Sequence, residues 1–350
     1  KRSPLPRDVW TVKSLDRVLA GEGHPREYAE WKPLFPFGET PIKAIFHRLK
    51  TAQGFVLSGD SGVSSSIRIA RRKVKFPQEL TDAINRCFAE GLMSEILESP
   101  ELGSSQHLWE TASDFAVRAL AQLTCGCIYY WDWPNDIPDT EWLNHRRNWN
   151  KSVRKILEEH LEGFDSKHLI ESEFEMLPEQ LQETHLETRE EWLKVKDRPI
   201  PPQKTKWVND YLVEDISSFL KTQKEPILIW VGLRALGERL SEKLSIPYYR
   251  NGEFDKDTAH TCIVSIKSHG TGKNLQAWSH NLIVHPIVSP AVWEQLMART
   301  HRAGQTADTV HFTVYSHKIF GSSLYRARKM AKIVQESTGN PQRLWTGDFI

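Results

Sequence analysis

Two stretches hold residues whose types and spacing suit phosphate chemistry. The first is Gln295-Leu-Met-Ala-Arg299-Thr-His-Arg302-Ala-Gly-Gln305. Arg299 and Arg302 lie three apart, so on a helix they share a face, with Gln295 one turn earlier on that side. Arginine stays charged in proteins, and its planar fork matches phosphate oxygens two at a time. Such a pair suits the charge on a transferring phosphoryl group; by spacing alone it also fits a helix with solvated arginines. The second stretch is Lys267-Ser-His-Gly270-Thr-Gly272-Lys-Asn274-Leu-Gln276. It follows an apolar run, Thr261 to Ile266, that reads as a strand. Glycines, hydroxyls and lysines at a strand's C-terminal end let backbone amides approach a phosphate closely. Parallel α/β sheets place ligands at that edge.

No other complete chemistry is written in the chain. A G-x-x-x-x-G-K-[ST] phosphate loop, a D-E-x-[HD] magnesium motif, G-x-S-x-G and H-E-x-x-H are all missing. Gly59-Asp-Ser-Gly62 reads as a turn. The four cysteines, Cys87, Cys125, Cys127 and Cys262, are too few to staple 350 residues. Cys125-Gly-Cys127 has no further ligands nearby, so the expectation is buried, reduced thiols and no metal site. Four histidines between His260 and His285 lack ligand spacing as well.

The elements that must position these stretches follow from apolar periodicity. Val208 to Leu220 and Leu233 to Leu244 carry apolar residues at helical spacing, and a further helix is expected from Ala291 to His301. Pro226-Ile-Leu-Ile-Trp-Val231 is a nearly continuous apolar run, as in a parallel strand buried on both faces. Ile246 to Tyr249, Asn281 to His285 and Val310 to Tyr315 read as further strands. Strand and helix in succession predict α/β architecture, a parallel sheet with helices on both faces. Upstream, Gly54 to Gly59 reads as a strand, and Gln78 to Glu98 and Leu108 to Leu123 as helices. Lys151 to Lys196 reads as helix interrupted near Gly163 and Pro178. The three prolines of Arg198-Pro-Ile-Pro-Pro-Gln203 exclude helix, which places a domain boundary there: a mainly helical region over 1–200 and an α/β domain over 201–350.

Composition sets the outer limits. The 39% apolar and 26% charged residues, with 13 Trp, support packed cores and exclude a disordered or collagen-like chain. No run of 18 apolar residues exists and no secretory signal is visible, so the expectation is a cytoplasmic protein without a membrane partner. Net charge is +1 overall, but residues 1–200 carry 27 Lys+Arg against 32 Asp+Glu and residues 201–350 carry 19 against 13. Within Glu158 to Glu191 there are 12 acidic residues against two basic ones, a solvated helix face or an arm that repels nucleic acid. Asn144-His-Arg146-Arg147-Asn-Trp149-Asn-Lys151-Ser-Val-Arg-Lys155 interleaves basic residues with a Trp. That pattern fits phosphate contact with base stacking, or a solvated amphipathic helix.

Taken in order, K-S-H-G-T-G-K-N-L-Q after a strand and then Q-x-x-x-R-x-H-R-x-G-Q resemble motifs V and VI of superfamily-two helicases. The ending His301-Arg-Ala-Gly-Gln305 is similar to the Swi/Snf-like branch, including small phage-type members. Pro226 to Gly252 resembles the motif IV region, and Ser322 to Ser337 the family's closing helix; the likeness covers about residues 204–345. Arg68 to Lys75 is faintly similar to the segment that follows the first lobe. The chain departs from the pattern at His269, Ile266 and Val288.

The resemblance implies a second RecA-like lobe, which clasps ATP and Mg together with a first lobe while DNA lies across both. It implies Arg302 as the arginine finger, with Arg299 as its companion on the γ-phosphate. Gln295, Gly272 and Asn274 would stand at the nucleotide, and Ser268, His269, Gly270, Thr271 and Lys273 at nucleic acid. Outside the motifs, the basic stretch around Trp149 offers Arg146, Arg147 and Lys151 as nucleic-acid contacts by its residue types alone. Since first-lobe signatures are absent, the chain is expected to be the C-terminal portion of a DNA helicase or translocase, inactive by itself and completed by a first lobe in cis or trans. The competing expectation is a non-catalytic lobe that binds nucleic acid or regulates another ATPase.

Overall fold

The computed structural model describes residues 63–89, 120–159, 161, 163–251, 258–270, 272–287, 289–317 and 323–350, with residues 14, 17–18, 25–32, 43, 46–47 and 50. In chain order the elements run α1 (Pro25–Trp31), β1 (Ser66–Arg72), α2 (Gln78–Ala89), β2 (Cys127–Trp131), α3 (Thr140–Glu158), α4 (Lys167–Ser172) and α5 (Glu179–Val195). They continue through β3 (Gln203–Trp207), α6 (Tyr211–Leu220), β4 (Ile227–Val231), α7 (Arg234–Leu244), β5 (Tyr248–Tyr249), β6 (Cys262–Ser265) and α8 (Ile266–His269). The last are β7 (His280–Ile283), α9 (Pro290–Thr300), β8 (Thr309–Tyr315), α10 (Ser323–Thr338), α11 (Arg343–Thr346) and β9 (Asp348–Phe349). The chain forms two compact units, one of residues 1–128 with 205–350 and one of residues 129–204.

The first unit is built on a seven-stranded sheet in the order β5-β6-β4-β7-β8-β1-β9. Every pairing in it is parallel. All five residues of β4 are buried, which accounts for its unbroken apolar run: helices cover both faces. Leu228 and Trp230 of β4, Val264 of β6 and Phe312 of β8 join Trp293, Leu296 and Met297 of α9 and Ala327 and Ala331 of α10 in one core. On the other side α7 packs on β4, β5 and β6. This is the α/β parallel sheet with helices on both faces expected from the sequence.

Three expectations are corrected. Ser66–Arg72 is a strand in this sheet, paired over its whole length with β8, so residues 1–200 are not wholly a separate helical region. Its Ile67 and Ile69 are buried while Ser66 and Arg68 are exposed, a period of two too short to stand out among charged neighbours. The proline-rich segment is only one of two crossings between units, the other lying after Ile128. The strand expected from Thr261 to Ile266 ends at Ser265, and Ile266 opens the short α8. Gly54 to Gly62, residues 90–119, Thr271, Val288 and Ser322 fall outside the described residues.

Residues 129–204 form a helical unit in which α3 and α5 pack along one another. Trp149, Val153 and Ile156 of α3 meet Ile170, Phe174 and Leu177 in its core. Asp139 caps α3 by accepting from the Trp142 N–H at 2.9 Å, and Arg198 grips the same carboxylate at 2.8 Å. Ser166 caps α4, and the breaks fall close to Gly163 and Pro178 as the sequence predicts. Trp131, Trp133 and Trp142 stand with ring centroids about 6 Å apart.

Candidate functional site

The two phosphate-suited stretches meet. Ser289 starts α9 by accepting from the Val292 N–H at 3.4 Å, with Pro290 in the first turn. The apolar face of α9 (Trp293, Leu296, Met297) is buried against the sheet, which sends its last turn, with Arg299, towards the loop after α8. The helix ends at Thr300 with His301 as its cap, so Arg302 lies in the turn beyond it and does not share a helix face with Arg299 as the spacing predicts. Four contacts then lace residues 273–278 to 299–305. The Leu275 N–H donates to the Arg299 carbonyl at 2.9 Å. The Arg299 Nη1 donates to the Lys273 carbonyl at 3.3 Å, and the Arg302 Nη1 to the Asn274 side-chain oxygen. Gln305 Nε2 donates to the carbonyls of Trp278 (3.1 Å) and Thr300 (3.0 Å). Beneath them, the Trp230 indole donates to Asn281 Oδ1 at 3.0 Å, and Asn281 Nδ2 to Thr300 Oγ1 at 3.2 Å. That buried chain fastens α9 to β4 and β7.

The electrostatics favour an anion. Burial, then the neighbouring Arg302 and Arg343, lower the pKa of Arg299 from its ordinary value. Among the described residues neither Arg299 nor Arg302 pairs with a carboxylate; their hydrogen bonds go to carbonyls and to Asn274. Two guanidiniums so placed leave positive potential that a phosphate would satisfy. Arg343, by contrast, is neutralised by Glu294 at 3.6 Å and donates to the His301 carbonyl at 3.2 Å. The His301 Nε2–H donates to the Ser65 carbonyl at 2.8 Å, and burial lowers its pKa. Arg343, Glu294 and Ser65 therefore hold the turn that carries Arg302. Sequence reasoning missed them, because they come from separated segments with no shared pattern.

The other expected residues are distributed as follows. Gln295 is exposed, and its carbonyl accepts from Arg299 Nε at 2.9 Å. Gly272 is exposed with φ of +71°, a conformation that side chains rarely adopt. The Ser268 hydroxyl donates to Asn251 Oδ1 at 3.0 Å, which ties the loop to the end of the segment after β5. His269 is 0% exposed and Gly270 is buried, so their side of the loop faces the protein; Lys273 is half-buried. Arg146 lies over the rings of Trp131 (5.5 Å) and Trp142 (4.9 Å), whereas Arg147 and Lys151 are exposed. Base stacking by Trp149 is excluded: it is 1% exposed and its indole donates to Glu171 at 2.8 Å.

The residues fit the phosphate end of a nucleotide but supply no metal cage. Among the described residues no group of three or more His, Cys, Asp or Glu comes together to hold a metal ion. Cys125, Cys127 and Cys262 are buried and free, and burial pushes the Cys127 and Cys262 thiols up to about 12. No described helix is long and apolar enough to cross a membrane.

No family model matches the chain, and no curated protein matches its sequence. Among solved structures it is similar to the C-terminal part of the Fun30 ATPase domain, at 18% identity and a TM-score of 0.37 over 79% of this chain and 90% of that one.

Proposed function

We propose that residues 205–350, with β1, form the second lobe of a nucleic-acid-dependent ATPase of the helicase or translocase type. The reading rests on one observation: Arg299 and Arg302, without a carboxylate partner among the described residues, are laced to the loop that follows β6. That is the arrangement expected of motif VI against motif V. ATP bound with magnesium in a completed site supplies the phosphoryl group that is transferred to water. A first lobe, in cis or trans, brings the phosphate loop and the metal ligands. In that site Arg302 holds charge on the phosphoryl oxygens, and Arg299 keeps the loop at Lys273 and Asn274 in register with it. An arginine in this role contributes about 10³–10⁵ in rate. Gln295 and Gly272 stand at the nucleotide side, while Ser268 and Lys273 link closure of the cleft to a nucleic-acid strand.

The test is DNA-stimulated ATP hydrolysis by the chain alone, with a first lobe supplied, and with Arg302→Ala. Activity only in the reconstituted pair, lost in the variant, establishes the motor. If no mixture hydrolyses ATP while DNA still binds, the chain is a binding lobe instead.

A further inference from the structure

The helical unit, residues 129–204, separates its charges by helix. It holds 17 Asp+Glu and 11 Lys+Arg in total, yet no acidic residue occurs between Glu141 and Glu158. That acid-free stretch is the body of α3, with Glu141 and Glu158 only at its two ends. Its inward face is buried through Trp142, Trp149, Ser152, Val153 and Ile156, and Arg146 is engaged on the tryptophan rings. The four other basic residues, Arg147, Lys151, Arg154 and Lys155, are all exposed. At i, i+4, i+7 and i+8 they share one side of the helix. A rise of about 1.5 Å per residue spreads them over about 12 Å. The neighbouring α5 is the reverse, with Glu179, Glu183, Glu187 and Glu190 exposed at similar spacing.

We propose that the exposed row Arg147–Lys151–Arg154–Lys155 of α3 is a contact for the phosphate backbone of DNA; the choice of DNA as the polyanion rests on the proposed function. A strand carries one phosphate per about 3.4 Å of axis, so the row spans three to four phosphates. Exposed Asn144 and Asn148 stand beside it with amides able to reach the same backbone. With Trp149 buried in the core, α3 offers no ring for a base, so the contact reads charge and not sequence. The carboxylates of α5 repel the same polyanion and confine it to the α3 side.

The test uses the whole chain and fluorescence polarisation, with labelled oligothymidylate and a mixed-sequence duplex titrated over a range of salt. In Arg147→Ala/Lys151→Ala/Arg154→Ala/Lys155→Ala the slope of log Kd against log salt is expected to shrink by about 3, at 0.7–0.9 per lost phosphate contact. Alanine preserves helix propensity, and circular dichroism checks the fold. The milder Lys151→Gln/Lys155→Gln should lose about half as much slope. Lys221→Ala/Lys224→Ala/Lys243→Ala, which removes exposed cations from the other unit, should leave the slope as it is. A quadruple variant with the unaltered slope on both probes overturns the proposal, as does an equal loss in the lysine control or equal binding of polyglutamate. Arg302→Ala separates this inference from the ATP-site reading, since it should abolish hydrolysis while the DNA slope persists.

Discussion

Arg302 donates from Nη1 to the Asn274 side-chain oxygen, and that contact joins the end of α9 to the loop after β6. A guanidinium held this way is oriented before any phosphate arrives, which lowers the ordering cost of the reactive geometry. Asn274→Ala should leave Arg302 in place but loosely directed. Under the proposed function, the expected loss is about tenfold in ATP hydrolysis with a first lobe supplied, the equivalent of one modest charged hydrogen bond. Arg302→Lys should fall much further, because an ammonium lacks the planar fork. Steady-state ATPase assays on the two variants check the order of the effects.

The parts of this site that could be read from the chain were those written as local patterns. The unbroken run Ile227 to Val231 revealed a two-face-buried strand, and Leu236 and Leu240 revealed the inner face of α7. The spacing of Arg299 and Arg302 predicted a shared helix face, but α9 ends at Thr300 and Arg302 stands in the turn after it. Pairings between distant segments left no such trace. Ser66–Arg72 lies beside β8 only because the sheet accepts it there, and Arg343 reaches the His301 carbonyl from 42 residues away. Burial of His269 depends on the turn of α8, not on its neighbours in sequence. The amphipathic pattern of α3 was visible, but which of its cations face outward required the positions of Trp131 and Trp142.

Asp215 ties three elements of the sheet's C-terminal edge. Arg72, at the end of β1, donates to it from Nε at 2.5 Å and from Nη2 at 2.9 Å, and the Tyr315 hydroxyl donates at 2.5 Å. Burial raises the Asp215 carboxyl, but the hydrogen bonds from Arg72 and Tyr315 outweigh it and hold the group below its ordinary value. A lowered folded pKa means stability that is fully present above the unfolded value of about 3.9 and lost as pH falls through the folded one. Asp215→Asn should therefore cost about 2 kcal/mol at neutral pH. The difference from the parent should close as pH drops below about 4, read by urea unfolding at both pH values.

Gly232 sits where a side chain has no room. A Cβ there would stand 2.4 Å from the His285 ring. Cys125 Sγ lies 4.0 Å from the ring's Nδ1, so the ring already has close neighbours. Gly232→Ala should destabilise the chain by about 1–3 kcal/mol through overpacking. Adding His285→Ala should cost less than the two single losses together, since the clash disappears with the ring. Thermal unfolding of the four-member cycle measures the coupling.

His285 and His317 make the fold sensitive to mild acid. Burial, with repulsion from His317, brings His285 down to about 3. Burial brings His317 down to about 4, against the opposing effect of its hydrogen bond to the Val284 carbonyl, 2.6 Å away. Both are neutral in the folded chain, whereas the unfolded chain protonates them below about 6.5. The unfolded state thus binds more protons between those values, and stability must fall as pH falls through that window. Each group contributes up to about 1.4 kcal/mol per pH unit. Between about pH 6 and pH 4 the two together should give a slope approaching about 2.7 kcal/mol per unit. His317→Gln keeps an N–H for the Val284 carbonyl but cannot take up a proton, so it should halve that slope. Urea midpoints measured across the window distinguish the halved slope from an unchanged one, which would mean that His317 is already charged in the folded chain.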